Sequence, residues 1–368
     1  MRASWKLDRC WRVVEQLAGA RLRWDVFSGE LIAQLRPAVG FDGWCAALAD
    51  PATGLPATAI AGDSPVAGCQ RRFYQLEYEV ADDCTWGCLA AGGGRVAVLS
   101  DVTGGDLARS RRWDELLRPA GTADELRAVL EVGGTRWGSL TLYRAAPGRW
   151  FSDDETRLVG SLHGALSRAA RAGWAAWPPA PADCEQEPAT LVATAAGTIT
   201  DATPAAGAWL ARLGPSPQSG YSLVYALLAR LTADTRRDPG GPSSASLVTR
   251  TSDGHWAELH AAPLTGTGRP GRHVAVTIGP ALPARIRAVL TRAHALSDRE
   301  AQVARLLLEG RQVADIAAAL YISPHTVRDH LKAVYRKTRS HTRHQLAARL
   351  SGYGPCPLAI GFSGHEVQ

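Results

Sequence analysis

Two helix-start signals within residues 296–350 constrain the fold more than any other feature of the chain. Ser297 is followed three residues later by Glu300, a capping box in which each side chain binds a free backbone amide. Ser323 is followed by Pro324, and proline suits a first helical turn because the amide hydrogen that it lacks is not needed there. Apolar residues recur at helical spacing after both signals. These residues are therefore predicted to form an all-α unit of short helices and tight turns.

The helix that is predicted to begin at Pro324 has an apolar and a basic face. Val327, Leu331 and Val334 recur at helical spacing and are expected to face the core. The opposite face and the cap supply the predicted DNA-binding residues, which are Ser323, His325, Thr326, Arg328, Asp329, Lys332, Arg336 and Lys337. A short helix, a tight turn and a capped basic helix match the geometry of insertion into the major groove. The alternative is a solvated charged surface, and the turn and caps argue against it.

Asp329 is a carboxylate on a surface that is expected to face DNA phosphates. It could accept a hydrogen bond from a cytosine amino group, or pair with His325 or Lys332 on the same helix. We favour the pairing within the helix, because phosphate repels an unpaired carboxylate.

Positive charge is concentrated near the end of the chain. Residues 284–350 contain 13 Lys and Arg against 5 Asp and Glu, a net +8 in a chain whose total is +6. The remainder is therefore slightly acidic. A basic module attached to near-neutral domains is typical of a protein that binds a polyanion such as double-stranded DNA.

The segment LSDREAQVARLLLEGRQVADIAAALYISPHTVRDHLKAVYRKT resembles the LuxR-type (GerE) helix-turn-helix. It has the leucine-x-x-arginine-glutamate opening, the glycine, the isoleucine-alanine of the scaffold helix and the threonine-valine-basic-x-histidine recognition segment. The resemblance implies a sequence-specific transcriptional regulator in which Arg328 and Lys332 contact bases or flanking phosphates. The chain departs from the family at Thr338, Arg339 and Ser340, where leucine-glycine-valine is usual. No glycine is then available to adopt the left-handed conformation that commonly ends a helix. The sequence therefore does not define the residue at which the recognition helix ends.

The front of the chain divides into two α+β regions, residues 1–173 and 190–280, in which helical patterns alternate with antiparallel strand patterns. A hairpin crosses Gly133-Gly134 in the first region, and a second crosses Asp253-Gly254. By element order, and by stretches such as AGTITDATPAAGAWLARLG and TSDGHWAELHAAPLTG, the first region resembles a GAF domain and the second a PAS domain. The resemblance implies sensory or dimerising modules with a pocket for an effector of unknown identity.

The predicted fold class is therefore multidomain, with two α+β sensory-type domains before an all-α four-helix DNA-binding domain. The latter spans residues 283–350. Residues 174–189 are rich in Pro and Ala and are predicted to form an exposed linker. Residues 351–368 are predicted to form a flexible tail.

The two α+β regions contain few motifs that could indicate catalysis, redox chemistry or metal binding. Cys84 and Cys88 could form a metal or redox pair, but no further ligand follows closely, and two buried small side chains are the favoured interpretation. The 7 cysteines are scattered and odd in number, which favours reduced thiols. No glycine-rich phosphate loop or nucleophile motif is present in the sequence. We therefore expect no cofactor, no metal and no enzymatic activity.

The apolar stretches are too short for a membrane span, and no apolar run follows the basic N-terminus. The sequence thus predicts a cytoplasmic, DNA-binding transcriptional regulator that acts as a homodimer, with RNA polymerase as a further candidate partner. Two alternatives remain. A sigma-type polymerase factor would need a second helical domain, and an enzyme with a DNA-binding regulatory tail would need a catalytic constellation.

Overall fold

Two antiparallel sheets of five strands each precede five helices in the computed structural model, which describes residues 2–177, 187–194, 196–214, 217–240, 244–264 and 273–353. The first sheet has the order β2-β1-β5-β4-β3. Its strands are β1 (Gly43–Ala49), β2 (Pro56–Gly62), β3 (Val96–Val98), β4 (Thr122–Val132) and β5 (Thr135–Ala145). The predicted β4–β5 hairpin is confirmed, and Gly133 and Gly134 both have the positive φ that its two-residue turn requires.

Helices cover both faces of the first sheet. Alternate β4 residues such as Leu126 and Ala128 pack against the long helices α1 (Arg2–Gly19), α2 (Trp24–Val39) and α6 (Asp153–Ala175). The opposite face, which includes Val129, packs against α3 (Gln70–Tyr78) and α4 (Trp86–Ala91). A short helix α5 (Leu99–Val102), a 3-10 turn (Leu107–Arg109) and a π-helical turn (Trp113–Leu117) lead from β3 to β4. A capping box of Ser152 and Glu155 begins α6.

The second sheet repeats the strand order of the first as β7-β6-β10-β9-β8. Its elements are β6 (Ala189–Thr194), β7 (Ile199–Ala202), α7 (Ala206–Arg212), α8 (Pro217–Arg237), β8 (Ala245–Arg250), β9 (Trp256–Pro263) and β10 (His273–Pro280). The predicted β8–β9 hairpin is confirmed. Ala205 precedes α7 as its N-cap residue, and the Thr203 hydroxyl accepts the Thr190 amide.

The prediction of an exposed linker at residues 174–189 is wrong at both of its ends. Trp174 lies in α6 and is 1% exposed, with its ring stacked on Trp256 at a centroid distance of 5.8 Å. Ala189 is buried in β6. Gly173 does not end the helix; it lets α6 approach α2, since a Cβ there would lie 3.3 Å from the Trp24 Cβ. Residues 178–186 of the predicted linker lie outside the described residues.

The C-terminal region has one more helix than predicted. Helix α9 (Pro283–Ala293) packs against both α6 and α13, so it joins the front of the molecule to the remaining helices. These are α10 (Asp298–Leu308), α11 (Val313–Leu320), α12 (Pro324–Thr338) and α13 (Arg343–Ser351). The predicted flexible tail also begins too early, because Ser351 is still helical and Gly352 packs on Trp256; residues 354–368 lie outside the described residues. None of the helices in the described ranges has the length and apolar character needed to cross a bilayer.

Candidate nucleic-acid interface

A small apolar core fixes the relative positions of α10, α11 and α12. Val303 and Leu306 from α10 meet Ile316 and Ala317 from α11, and Val327 from α12 lies between them. The capping box of Ser297 and Glu300, which was predicted from the sequence, begins α10. With this core closed, the remaining face of α12 is directed away from the other helices.

The start of α12 is held by local hydrogen bonds. The Ser323 hydroxyl accepts the Thr326 amide at 3.0 Å, and the two hydroxyls lie 2.9 Å apart. Pro324 occupies the first turn, as predicted. The preceding Tyr321 adopts a left-handed conformation with φ of 54° and is 95% exposed. Ser323 and Thr326 therefore position the helix, and their hydroxyls stay on its exposed surface.

The predicted division of α12 into two faces is confirmed, with one half-buried position. Val327 and Val334 are fully buried, whereas Leu331 is half-buried at the edge of the core. Arg328, Lys332 and Arg336 are exposed and follow one another at intervals of four residues. Such spacing places their side chains in a row along one side of the helix.

Asp329 pairs within the helix, as favoured from the sequence. Its Oδ2 lies 3.1 Å from the His325 Nδ1, and its Oδ1 accepts from the Lys332 Nζ at 3.3 Å. All three side chains are at least half exposed. Exposed pairs of this kind contribute little free energy, so Lys332 is able to exchange Asp329 for a phosphate at small cost.

Lys337 has a different environment from the other cations of α12. It is half-buried, and its Nζ donates to the Glu300 Oε2 at 2.6 Å. Burial opposes ionisation of Glu300, but the Lys337 ammonium and the Ser297 amide outweigh it and lower the pKa of Glu300. Lys337 thus ties the end of α12 to the start of α10, a role that the sequence did not indicate.

The end of α12 is defined without a glycine. Arg339 takes the left-handed conformation, with φ of 53°, and its amide donates to the Arg336 carbonyl. The Ser340 amide reaches back to the Tyr335 carbonyl at 3.0 Å, and the Thr338 hydroxyl donates to the Val334 carbonyl. The last residue in helical conformation is therefore Thr338, and an arginine occupies the position where glycine is usual.

A cavity of about 460 Å³, which the sequence did not indicate, lies on the face of the first sheet that packs against α3 and α4. Its walls come from β1 and β5, from α3, and from the second domain at the start of α8. Among the described residues, the lining includes no charged residue and is mostly small, apolar or aromatic, with Cys45, Ala47, Ala57, Val66, Phe73, Tyr74, Trp86, Thr141, Tyr143, Leu213, Ser222 and Leu223 among its members. Tyr74 and Ser222 join the two domains, their hydroxyl oxygens lying 3.1 Å apart.

Buried ion pairs support the aromatic rings of this cavity. The Arg127 guanidinium lies 4.4 Å from the Trp86 ring centroid and pairs with Glu77 at 2.8 Å. Arg112 lies over Phe73 and pairs with Glu125 in the same way. The Trp86 indole N–H itself is buried and has no hydrogen-bond partner among the described residues. No sequence signal predicts this site, because its residues are spread from position 45 to position 223.

The two cysteines that were considered as a pair do not share a helix face. Cys84 is fully buried before α4, and Cys88 is exposed within it, so the expectation of two buried side chains is wrong for Cys88. Thr85 caps α4 between them. Burial raises the pKa of Cys84 to about 12, which keeps the thiol protonated. Among the described residues, no group of three or more His, Cys, Asp or Glu side chains is placed to hold a metal ion.

Comparison with known families assigns the helical region. Residues 294–350 match the family model GerE, described as bacterial regulatory proteins of the luxR family. This range contains α10 to α13, so these four helices form a LuxR-type DNA-binding domain. No curated relative matches the chain.

Solved structures of VqmA are also similar to the chain. The phage VqmA–DPO complex is 21% identical, with a TM-score of 0.15 over 38% of this chain and 70% of that one. The VqmA–ligand–DNA complex from Vibrio cholerae is 17% identical, with a TM-score of 0.23 over 47% of this chain and 88% of that one. TM-scores this low do not indicate that this chain and VqmA share an overall fold.

Proposed function

We propose that this chain, whose residues 294–350 form a LuxR-type DNA-binding domain, is a transcriptional regulator that reads the major groove with α12. The observation that carries the proposal is the row of exposed cations on a helix whose opposite face is buried in the domain core. Arg328 is nearest to the helix N-terminus and can bind a guanine edge with two hydrogen bonds. Lys332 and Arg336 then lie toward the phosphate backbone.

The remaining polar residues of α12 complete the proposed surface. Ser323, His325 and Thr326 lie at the end of the helix that enters the groove, where hydroxyl and imidazole groups reach phosphates or base edges. Asp329 orients Lys332 through their ion pair. Lys337 contributes a direct contact only if it leaves Glu300.

The protein is proposed to act as a homodimer. Two symmetric copies would place their recognition helices about 34 Å apart, one turn of DNA, and would read a two-fold symmetric site. A bound dimer is then positioned to contact RNA polymerase.

The two front domains are proposed to be GAF-like and PAS-like sensory modules. Their sheets share one strand order, and the cavity lies between the first sheet and α8. A volume of about 460 Å³ suits a small-molecule effector. Because the lining carries no charge, and burial raises the pKa of Cys45 to about 11, we expect a neutral, mostly apolar and flat molecule. The Trp86 ring forms part of the wall that such a molecule would contact.

The DNA-binding proposal is tested by selecting bound sites from a random pool of duplex DNA with the purified full-length protein. We expect one enriched motif with two-fold symmetry. The matched control is the Arg328→Ala, Lys332→Ala double variant, which keeps the core of α12 and should enrich no motif. Enrichment only when core RNA polymerase is added would favour the sigma-type alternative, and no enrichment under either condition would contradict the proposal.

The effector site is tested separately by native mass spectrometry and thermal unfolding. We expect wild-type protein from its own host to carry a small molecule, or to be stabilised by neutral aromatic compounds. Thr141→Leu removes a hydroxyl from the cavity wall and should weaken both signals. Thr277→Leu makes the same change at an exposed site on the second sheet and should leave them unaltered. Equal signals for the two variants would argue against this cavity.

A further inference from the structure

A second cleft lies where the first domain meets the DNA-binding domain. It has a volume of about 440 Å³ and is bounded by the ends of α1, α6 and α9 on one side and by the ends of α12 and α13 on the other. Its polar lining residues are Arg21, Arg168, Arg171, His294, Thr338, Arg339 and Arg349. Small alanine and glycine residues make up the rest of the lining.

Among the described residues, the lining contains five arginines and no carboxylate. Arg168 pairs with Glu15 outside the lining, and Arg21 donates to the Lys337 carbonyl at 3.4 Å. Within the described residues, Arg171, Arg339 and Arg349 form no ion pair. Burial, and after it the neighbouring Arg339, lower the pKa of Arg21. Like charges at this spacing repel one another. An anion in the cleft would relieve this repulsion.

His294 belongs to the wall of the cleft. It is 7% exposed, and both of its ring nitrogens are buried. Burial, together with Arg21 and Arg349, lowers the pKa of His294 to about 4, against the opposing effect of a backbone contact with Lys337. The ring is therefore neutral, and the positive charge of the cleft comes from its arginines.

We propose that this cleft binds a small molecule with two or more phosphate groups, which bridges the first domain and the DNA-binding domain. The planar guanidinium group matches phosphate geometry with two parallel hydrogen bonds, and several arginines suit several phosphates. Arg21, Arg168 and Arg171 belong to the first domain, whereas Arg339 and Arg349 belong to the DNA-binding domain. Binding energy at this site therefore holds the two domains together.

This site is separate from both the DNA-reading face of α12 and the apolar cavity, and its occupancy does not depend on the proposed function. The test uses pyrophosphate as the probe and the full chain without DNA. Isothermal titration calorimetry at constant ionic strength should show saturable binding of one pyrophosphate per chain. The midpoint of thermal unfolding should rise with pyrophosphate concentration. Orthophosphate should bind more weakly, and ATP at least as tightly as pyrophosphate.

Three variants in the cleft and one control variant outside it make the test specific. Arg171→Gln and Arg339→Gln remove one arginine from each side of the cleft, and each should weaken binding by about tenfold, the loss expected for a charge-assisted contact. Arg349→Gln, an exposed position with little influence on folding, should do the same. Arg157→Gln is the matched control, because this exposed arginine lies on α6 outside the cleft and should bind pyrophosphate like the wild type.

Several results would overturn the proposal. They are the absence of saturable pyrophosphate binding, equal weakening by Arg157→Gln, and unchanged binding in folded Arg171→Gln and Arg339→Gln proteins. Circular dichroism verifies folding. If these variants lose only DNA affinity while pyrophosphate fails to bind the wild type, the cleft is a contact for DNA phosphates and the proposal is wrong.

Discussion

At the scale of single residues, the DNA-binding surface depends on which charges are free. Arg328 and Lys332 lie on the same face of α12, but of the two only Lys332 forms an ion pair within the described residues, with Asp329. Lys337 belongs to the same helix and is held by Glu300. Cationic residues of the same helix therefore differ in how available they are for DNA contacts, because their ion-pair partners differ.

Arg328→Ala and Lys332→Ala should have different effects on DNA binding. Loss of a guanine contact at Arg328 should cost about 1–3 kcal/mol and relax one position of each half-site. Loss of a phosphate contact at Lys332 should weaken all sequences alike and reduce the salt slope by about one unit per subunit. Binding isotherms across a salt series measure both effects. Arg305→Ala, on α10, is the control and should alter neither; a folded double variant with wild-type affinity would refute this placement of α12.

At the scale of elements, the helix ends of the DNA-binding domain determine how α10 and α12 fit together. The capping box of Ser297 and Glu300 begins α10, and the same Glu300 receives Lys337 from the last turn of α12. The left-handed Arg339 then turns the chain toward α13. A single carboxylate thus contributes to a helix cap and to a contact between helices.

The Lys337–Glu300 pair should make the domain sensitive to acid. The pKa of Glu300 is lowered in the folded state, so the pair stabilises the fold above the unfolded pKa of about 4.3 and loses its effect as pH falls through the lower folded value. Lys337→Met should therefore cost about 1–2 kcal/mol at pH 7, and the difference from wild type should shrink below pH 4. Thermal unfolding of both proteins between pH 3 and 7 measures this; a constant difference across that range would contradict it.

Arg339→Gly should stabilise the end of α12. A left-handed conformation costs a residue with a Cβ about 1 kcal/mol that glycine avoids. Arg339→Ala removes the same charge and keeps the Cβ, so the comparison between the two variants isolates the backbone effect. Calorimetry should give a higher unfolding midpoint for the glycine variant. Equal midpoints would mean that the left-handed geometry is not a source of strain.

At the scale of the whole molecule, one aromatic junction joins all three regions. Trp174 from the end of α6 stacks on Trp256 from the second sheet. Gly352, just after α13, lies against the edge of the Trp256 ring. The buried Arg250 guanidinium lies 3.9 Å from the Trp256 ring centroid and completes the junction. Trp256 of the second sheet therefore contributes to docking of the DNA-binding domain, although it lies outside that domain.

Gly352→Ala should disturb this docking. The added Cβ would lie 2.1 Å from the Trp256 Nε1, and the residue has a φ of +72° that alanine rarely adopts. Such overpacking costs about 1–3 kcal/mol. We expect a lower unfolding midpoint and a change in tryptophan fluorescence. Gly160→Ala on α6 meets no atom within 4 Å and should be neutral or stabilising; an identical response of the two variants would mean that the junction does not bear on stability.

The sequence alone was sufficient for features that depend on neighbouring residues. The caps at Ser297 and Ser323, the β4–β5 hairpin and the buried face of α12 are all confirmed, because hydrogen bonds and side-chain periodicity within one turn or one hairpin define them. The resemblance to the LuxR-type domain rested on such local patterns. For the end of the recognition helix, the structure supplied what the sequence left open, at the left-handed Arg339.

Tertiary structure decided whatever depends on residues distant in the sequence. Gly173 looks like a helix end, but it continues α6 because its missing side chain admits Trp24. Lys337 looks like a DNA contact, but Glu300 of another helix reaches it. The apolar cavity and the arginine cleft each gather side chains from two domains, and neither has a local pattern. A cavity is defined by the space that packing leaves unfilled, and only the assembled chain determines that space.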